Sequence, residues 1–160
     1  LWFFSNRLRG ESHPRAKLTA EQVLQIWEKD SEIDRTEPGK ELTNVPKLHS
    51  KYLAILSKHR LLAKSADIKY VKMRRLKWEY YTGKLDEEEL KERGWEPFPY
   101  VLKSELNTYL ESDDDLNKLV ISKTMHQEIV ELCTGILKEL NSRTYQLRSL
   151  IDWEKFIQGV

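Results

Sequence analysis

One cysteine, Cys133, stands in 160 residues. A lone thiol excludes an internal disulfide and any metal site built from cysteines, and it fits a reducing compartment. Long apolar runs are missing too. Nothing approaches the roughly 20 residues of a membrane helix, and the opening LWFF is too short for a signal-peptide core and has no basic flank before it. A soluble, intracellular chain with no membrane contact is expected. Glycine is scarce, at six residues, and proline scarcer, at five. No Gly-rich phosphate loop occurs. The four histidines, His13, His49, His59 and His126, are scattered. Met125-His126-Gln127-Glu128 contains an H-x-E, but no Cys pair accompanies it, which excludes a zinc deaminase. Glu87–Glu89 and Asp113–Asp115 read as a helix start and a helix cap rather than as metal ligands. The expectation is a protein without catalytic residues, metal or cofactor, and not an enzyme.

Charge is what the sequence has in quantity, and it is unevenly spread. Charged residues make up 33% of the chain, yet the net charge is only +1. From Lys47 to Lys84 eleven Lys/Arg face two acidic residues, a net +9. From Leu85 to Asn117 three Lys/Arg face eleven acidic residues, a net −8. A +9 block points to a polyanion, nucleic acid first. A solvated helix that pairs with the acidic block of its own chain explains the same pattern. Five Trp and seven Tyr argue against disorder and supply a modest core.

Residues 1–17 read as an N-terminal appendage without a clear period, either a loose arm or sequence from upstream of a natural start. Thr19 and Gln22 form a capping-box pattern, so a short helix is expected over about 20–30, with Val23, Leu24 and Trp27 on its apolar side. DRTEPGKELTNVP, with Pro38, Gly39 and Pro46, reads as a connector. Residues 47–82 lack Pro and Gly and are expected to form one long helix. Leu48, Tyr52, Ile55, Leu56, His59, Leu62, Ala66, Tyr70, Met73 and Tyr80 share one broad face at about 100° per residue. His59 on that face is a core or interface histidine. Gly83 suits the helix end. A short acidic helix, a loop broken by Gly94, Pro97 and Pro99, and a short helix starting near Ser104 should follow.

A second long helical region, capped by Asp113–Asp115, is expected over about 116–158. Its apolar stripe comprises Ile129, Leu132, Cys133, Ile136, Leu137, Leu140, Leu147, Leu150 and Ile151. The stripe is wider than one neighbour covers, which suggests burial on two sides and self-association. Gly135 within it would fit the close approach of another helix. The chain thus divides into an appendage (1–17), a DNA-binding region (18–100) and a C-terminal oligomerisation region (101–160). The fold class is mainly α, with two long helices, short helices and loops.

Lys51, Lys58 and Lys69, continued by Lys72, form a row beside the apolar stripe that suits a phosphate backbone. Downstream, Arg74, Arg75, Lys77 and Lys84 interleave with Trp78, Tyr80 and Tyr81. Cations neutralise phosphates, and aromatic rings stack on unpaired bases, so this mixture points to single strands. Tyr80, on the stripe, is read as core. Trp78 and Tyr81 are candidates for stacking. In a straight helix Arg75 and Lys77 lie about 200° apart and cannot face one strand together.

Met73-Arg74-Arg75-Leu76-Lys77-Trp78-Glu79-Tyr80-Tyr81-Thr82-Gly83 resembles the L-K-A-R-L-x-Y-Y-S-G motif of the UvsY-type recombination mediators of T-even-like bacteriophages. Ser50-Lys51-Tyr52-Leu53 lies where that family has S-K-[WY]-L. Leu132-Cys133-Thr134-Gly135 and Ser142-Arg143 are similar to its C-terminal helix. The resemblance runs from about Leu18 to Gly159. It implies an accessory protein of homologous recombination, repair and recombination-dependent replication, working in the cytoplasm of the infected host. Its implied partners are single-stranded DNA, the phage recombinase, the phage single-stranded DNA-binding protein, which it helps displace, and further copies of itself in a ring-like hexamer or heptamer. The family's DNA-contacting cations carry over onto Arg75 and Lys77, in the order Arg, Lys rather than Lys, Arg, with Arg74 an added charge. The acidic segment 86–96 would engage a basic partner or shield the DNA site, unless it serves solubility alone. A second reading stays open: a non-enzymatic helical scaffold whose basic helix pairs with an acidic protein surface.

Overall fold

A computed structural model describes residues 18–159, and the expectations placed on 1–17 lie outside the described residues. Five helices follow in order: α1 (Ala20–Ser31), α2 (Pro38–Tyr81), α3 (Glu87–Arg93), α4 (Leu106–Glu111) and α5 (Asp114–Gln158). Among the described residues there is no strand, as the mainly α reading requires. α2 and α5 form an antiparallel hairpin: His59 meets His126, Asp67 meets Lys123, and Lys77 meets Asp113. At about 1.5 Å per residue each long helix spans roughly 65 Å. Among the described residues no helix is long and apolar enough to cross a membrane.

Local chemistry sets most helix ends. The Thr19–Gln22 capping box starts α1, and an Asp86–Glu89 box starts α3. The Asp113 carboxylate accepts the Asp115 and Leu116 amides at the start of α5. Gly83 and Gly94 close α2 and α3 at φ +66° and +67°, a backbone region that costs other L-residues. One end differs from expectation. α2 begins at Pro38 rather than after Pro46, so the connector shortens to residues 32–37. Pro38 is pre-organised for a first helical position. Pro46 sits inside the helix and gives up one backbone hydrogen bond, a cost of about 3 kcal/mol. Burial of Val45 and Leu48 on either side of it offsets that cost.

Two apolar clusters hold the hairpin. One joins Val23 of α1, Leu48, Tyr52 and Leu56 of α2, and Ile129, Cys133, Ile136 and Leu140 of α5. Leu24, expected on the apolar side of α1, is instead exposed, and Ile26 and Trp27 pack inward with Val23. The other cluster, at the far end, joins Tyr81, Val101, Leu106, Leu110 and Leu116. Between them the interface is small and polar: Ala63, Ala66, the His59–His126 pair with Nδ1 atoms 3.1 Å apart, and the Asp67–Lys123 ion pair at 2.6 Å.

The wide stripe of α5 is covered within the chain. Ile129, Cys133, Ile136 and Leu140, expected at a subunit interface, are buried here against α1 and α2, and Leu147, expected there too, is buried beside Ser31, Ile33 and Arg35. Leu132, Leu150 and Ile151 are half-buried and Gly135 is exposed; a Cβ at Gly135 would meet nothing within 4 Å. Leu147 is the last buried residue of α5, and beyond it Trp153, Phe156 and Ile157 are exposed. Trp153 and Phe156 stack on each other with centroids 5.9 Å apart.

Candidate nucleic-acid interface

The end of α2 sorts its cations by helical phase. Tyr70, Met73, Lys77 and Tyr81 continue the inward stripe at spacings of three, four and four. Lys77 is therefore buried, with only 7% of its surface exposed, and not presented to solvent as expected. Its ammonium lies 3.0 Å from Asp113 Oδ2 and 2.8 Å from Asp115 Oδ2, and 4.2 Å from the centroid of the Trp95 ring. Burial works against the Lys77 charge, but hydrogen bonds to Asp115 and Asp113 outweigh it and raise its pKa. Burial likewise opposes ionisation of Asp113, and the bonds from Lys77, the Leu116 amide and Tyr81 hold its carboxyl below the usual range.

Tyr81, expected to stack on a base, is also turned inward. It is 9% exposed, and its hydroxyl donates to Asp113 Oδ2 at 2.8 Å. Its ring packs against Phe98 and Tyr109, which leaves no face for a base. Tyr80 is half-buried against Trp95 and Phe98 and donates its hydroxyl to the Glu96 carbonyl. Trp78 turns outward and is 38% exposed, with the Lys84 ammonium 4.0 Å from its ring centroid. Arg74 and Arg75 are exposed, and Arg75 keeps a surface pair with Glu79 at 3.0 Å. The separation of Arg75 from Lys77 thus resolves simply: one faces solvent and the other faces α5.

The lysine row and the arginine pair lie on opposite flanks of α2. Lys58 and Lys69 line a cleft beside His59 and His126, while Arg74, Arg75 and Trp78 line a groove against α4. At about 100° per residue the two sets fall on either side of the buried stripe. Lys51 is engaged by Asp30 at 2.6 Å, the carboxylate that also accepts the Tyr52 hydroxyl. Lys72 is exposed on the back of the helix. The row is thus not a continuation of the Arg74–Arg75 surface.

Arg60 and Lys64, not singled out from the sequence, are exposed on the arginine flank. Their spacing of 14 and 11 residues from Arg74 and Arg75 puts them in phase, a signal that was present. They extend the basic flank roughly 27 Å from Arg60 to Trp78. Arg143, marked in the sequence only by its Ser-Arg context, is buried. Its guanidinium donates to the Asp30 and Ser31 carbonyls at 3.0 and 2.7 Å and closes the end of α1. Among the described residues no group of three or more His, Cys, Asp or Glu is placed to hold a metal ion.

The arrangement offers exposed cations, one exposed indole and a groove, supported by a satisfied buried ion pair. Comparison with known proteins agrees in fold and family. The model of the family described as "Recombination, repair and ssDNA binding protein UvsY" matches residues 26–160. The chain is 30% identical over 141 residues to the "Recombination protein uvsY" of Enterobacteria phage T4, covering 87% of this chain and 97% of that protein. A crystal structure of the bacteriophage T4 recombination mediator protein UvsY, lattice type II, superposes with a TM-score of 0.75 at 24% identity, over 88% of this chain and 98% of that one. A second crystal form, lattice type I, gives 0.72 at 25% identity, over 84% and 97%. With its family model spanning most of the sequence and its hairpin shared with these structures, the chain belongs to the UvsY family of recombination, repair and single-stranded-DNA-binding proteins.

Proposed function

We propose that this chain is a non-enzymatic recombination mediator that grips single-stranded DNA along the outer flank of α2. The observation that carries the reading is the exposed set Arg74, Arg75 and Trp78 inside the family's motif region, with Lys84 just beyond it and Arg60 and Lys64 in phase on the same flank. Lys58, Lys69 and Lys72 form a second cationic surface that a strand reaches only by crossing the back of the helix. Lys77 and Tyr81 act from beneath, by fixing the end of α2 on the start of α5.

One subunit makes few phosphate contacts and binds weakly. Several copies in a ring, a hexamer or heptamer, gain avidity through effective concentration. The uncovered end of α5, with Leu150, Ile151, Trp153 and Phe156, together with Leu132 and Gly135 on its open side, is the surface that joins them. A strand bent around such an assembly is a poorer substrate for the phage single-stranded DNA-binding protein and a better one for the phage recombinase. Glu87 and Glu88 of α3, which are exposed, suit basic surfaces on those partners in the cytoplasm of the infected cell.

The test is fluorescence anisotropy of a labelled oligonucleotide across a salt series, for the wild type and for Arg74→Ala/Arg75→Ala. The slope of log K against log salt should become shallower by about 1.4, two contacts at about 0.7 each. Absence of wild-type binding at low salt would refute the reading.

A further inference from the structure

We infer that the groove between α2 and α4 is a base-docking site, in which an unpaired nucleobase lies against Trp78 and presents its edge to Asn107 and Glu111. The inference rests on the proposed single-strand binding and adds to it a place for the base and a preference among bases. The groove has a volume of about 790 Å³, within the roughly 300–1,000 Å³ of small-molecule sites. Its two rims differ chemically. α2 supplies Arg74, Arg75 and Trp78; α4 supplies Asn107 and Glu111.

Each rim has one use. The guanidinium groups are exposed and suit the sugar-phosphate chain. Lys84 covers Trp78 at 4.0 Å without lining the groove, so the indole has one side held by a cation and another free for stacking. Leu106 and Leu110 are buried, which fixes α4 on α2 and holds Asn107 and Glu111 at the groove edge. Among the described residues the Asn107 and Glu111 side chains make no hydrogen bond or ion pair. The Glu111 carboxylate repels phosphate, so its favourable contact with a nucleotide is an amino group on a base edge. Cytosine offers an amino donor where thymine offers a carbonyl. The site therefore favours cytosine over thymine, a modest preference laid over sequence-independent phosphate binding.

The full-length chain should be titrated with three labelled strands of equal length and phosphate count: oligo(dC), oligo(dT) and an abasic strand. Wild type should bind oligo(dC) about fivefold or more tighter than oligo(dT), and the abasic strand weakest. Trp78→Leu should remove most of the advantage of base-bearing strands over the abasic one, with the salt slope unchanged. Glu111→Gln, whose amide donates as well as accepts, should bring the oligo(dC) to oligo(dT) ratio toward one. Equal wild-type affinity for the abasic strand would overturn base docking while leaving phosphate binding intact. Failure of all three strands to bind at low salt would instead defeat the single-strand reading itself. A cytosine preference that survives Glu111→Gln overturns the role of α4. Light scattering on each variant closes the last alternative: a changed assembly mass would make the groove a seat for a second copy, and the inference would fall.

Discussion

Replacement of Lys77 separates two roles that its place in the motif merges. The Lys77 and Asp113 side chains are 8% and 4% exposed, and their ion pair is shared with Asp115 and Tyr81. Lys77→Met keeps most of the aliphatic volume but leaves the Asp113 carboxylate buried and short of its cation. Breaking one side of a buried pair costs about 3–5 kcal/mol. The lower end is expected here, because Asp113 keeps the Tyr81 hydroxyl and two α5 amides. Urea unfolding should show a loss of about 3 kcal/mol. Adding Asp113→Asn, which retains a helix cap and removes the stranded charge, should recover at least about half of that loss. Below the unfolding range the salt slope of DNA binding should match the wild type, because the Lys77 ammonium is buried and held by Asp113 and Asp115. The reasoning fails if stability stays within about 0.5 kcal/mol of wild type while the slope falls by about 0.7.

Three further outcomes follow from the same geometry. Burial first, then His126 and Lys58, hold the His59 pKa below its usual value. A depressed histidine is neutral in the fold, so the unfolded chain takes up the proton first and stability should fall as pH drops below about 6.5. Between pH 7 and 5 the wild type should lose more stability than His59→Leu; parallel pH profiles would remove the histidine from the account. At Gly135, which has open space around it in the subunit, Ala should stabilise the helix by about 1 kcal/mol yet reduce assembly mass at low concentration; an unchanged mass would show that no other backbone approaches there. Trp153→Ser/Phe156→Ser removes two exposed stacked rings and should shift sedimentation toward the single chain with helix content retained; a mass equal to wild type would place the subunit contact elsewhere.

The sequence announces what neighbouring residues decide and hides what distant ones decide. Thr19, Asp86 and Asp113 mark helix starts, and Gly83 and Gly94 mark ends, because a cap needs only its own turn. Pro46 misleads for the opposite reason: proline breaks an isolated helix, but here the burial of Val45 and Leu48 outweighs the lost bond. The α5 stripe shows its width but not its partners. Ile129 and Cys133 read equally well as an interface with another copy until α1 is seen lying on them. Lys77 was legible in part. It follows Tyr70 by seven residues and Met73 by four, which puts it on the inward stripe, but only the partner carboxylates of α5 explain why a lysine belongs there. Tyr81 and Tyr80 are adjacent, and phase alone favours Tyr81 for the core once Lys77 is accepted on the stripe.

The reversal of charge across Gly83 has an internal cause that leaves some acid over. Because α2 and α5 run antiparallel, the basic end of one helix meets the acidic start of the other. Asp113 and Asp115 there complement the positive end of the α5 dipole as well as Lys77, so these acids are held by the fold. Glu79 is also spoken for, by Arg75. The Glu89 side chain closes the start of α3. Glu87 and Glu88 are exposed and make no ion pair among the described residues. The internal pairing withdraws Lys77 from the surface, while Arg74 at the groove and Lys84 on Trp78 are exposed and, among the described residues, form no ion pair. If the surplus acids engage a basic partner, Glu87→Gln/Glu88→Gln should weaken capture of the phage single-stranded DNA-binding protein while DNA affinity holds or rises. Partner affinity equal to wild type would leave these two residues a purely solubilising role.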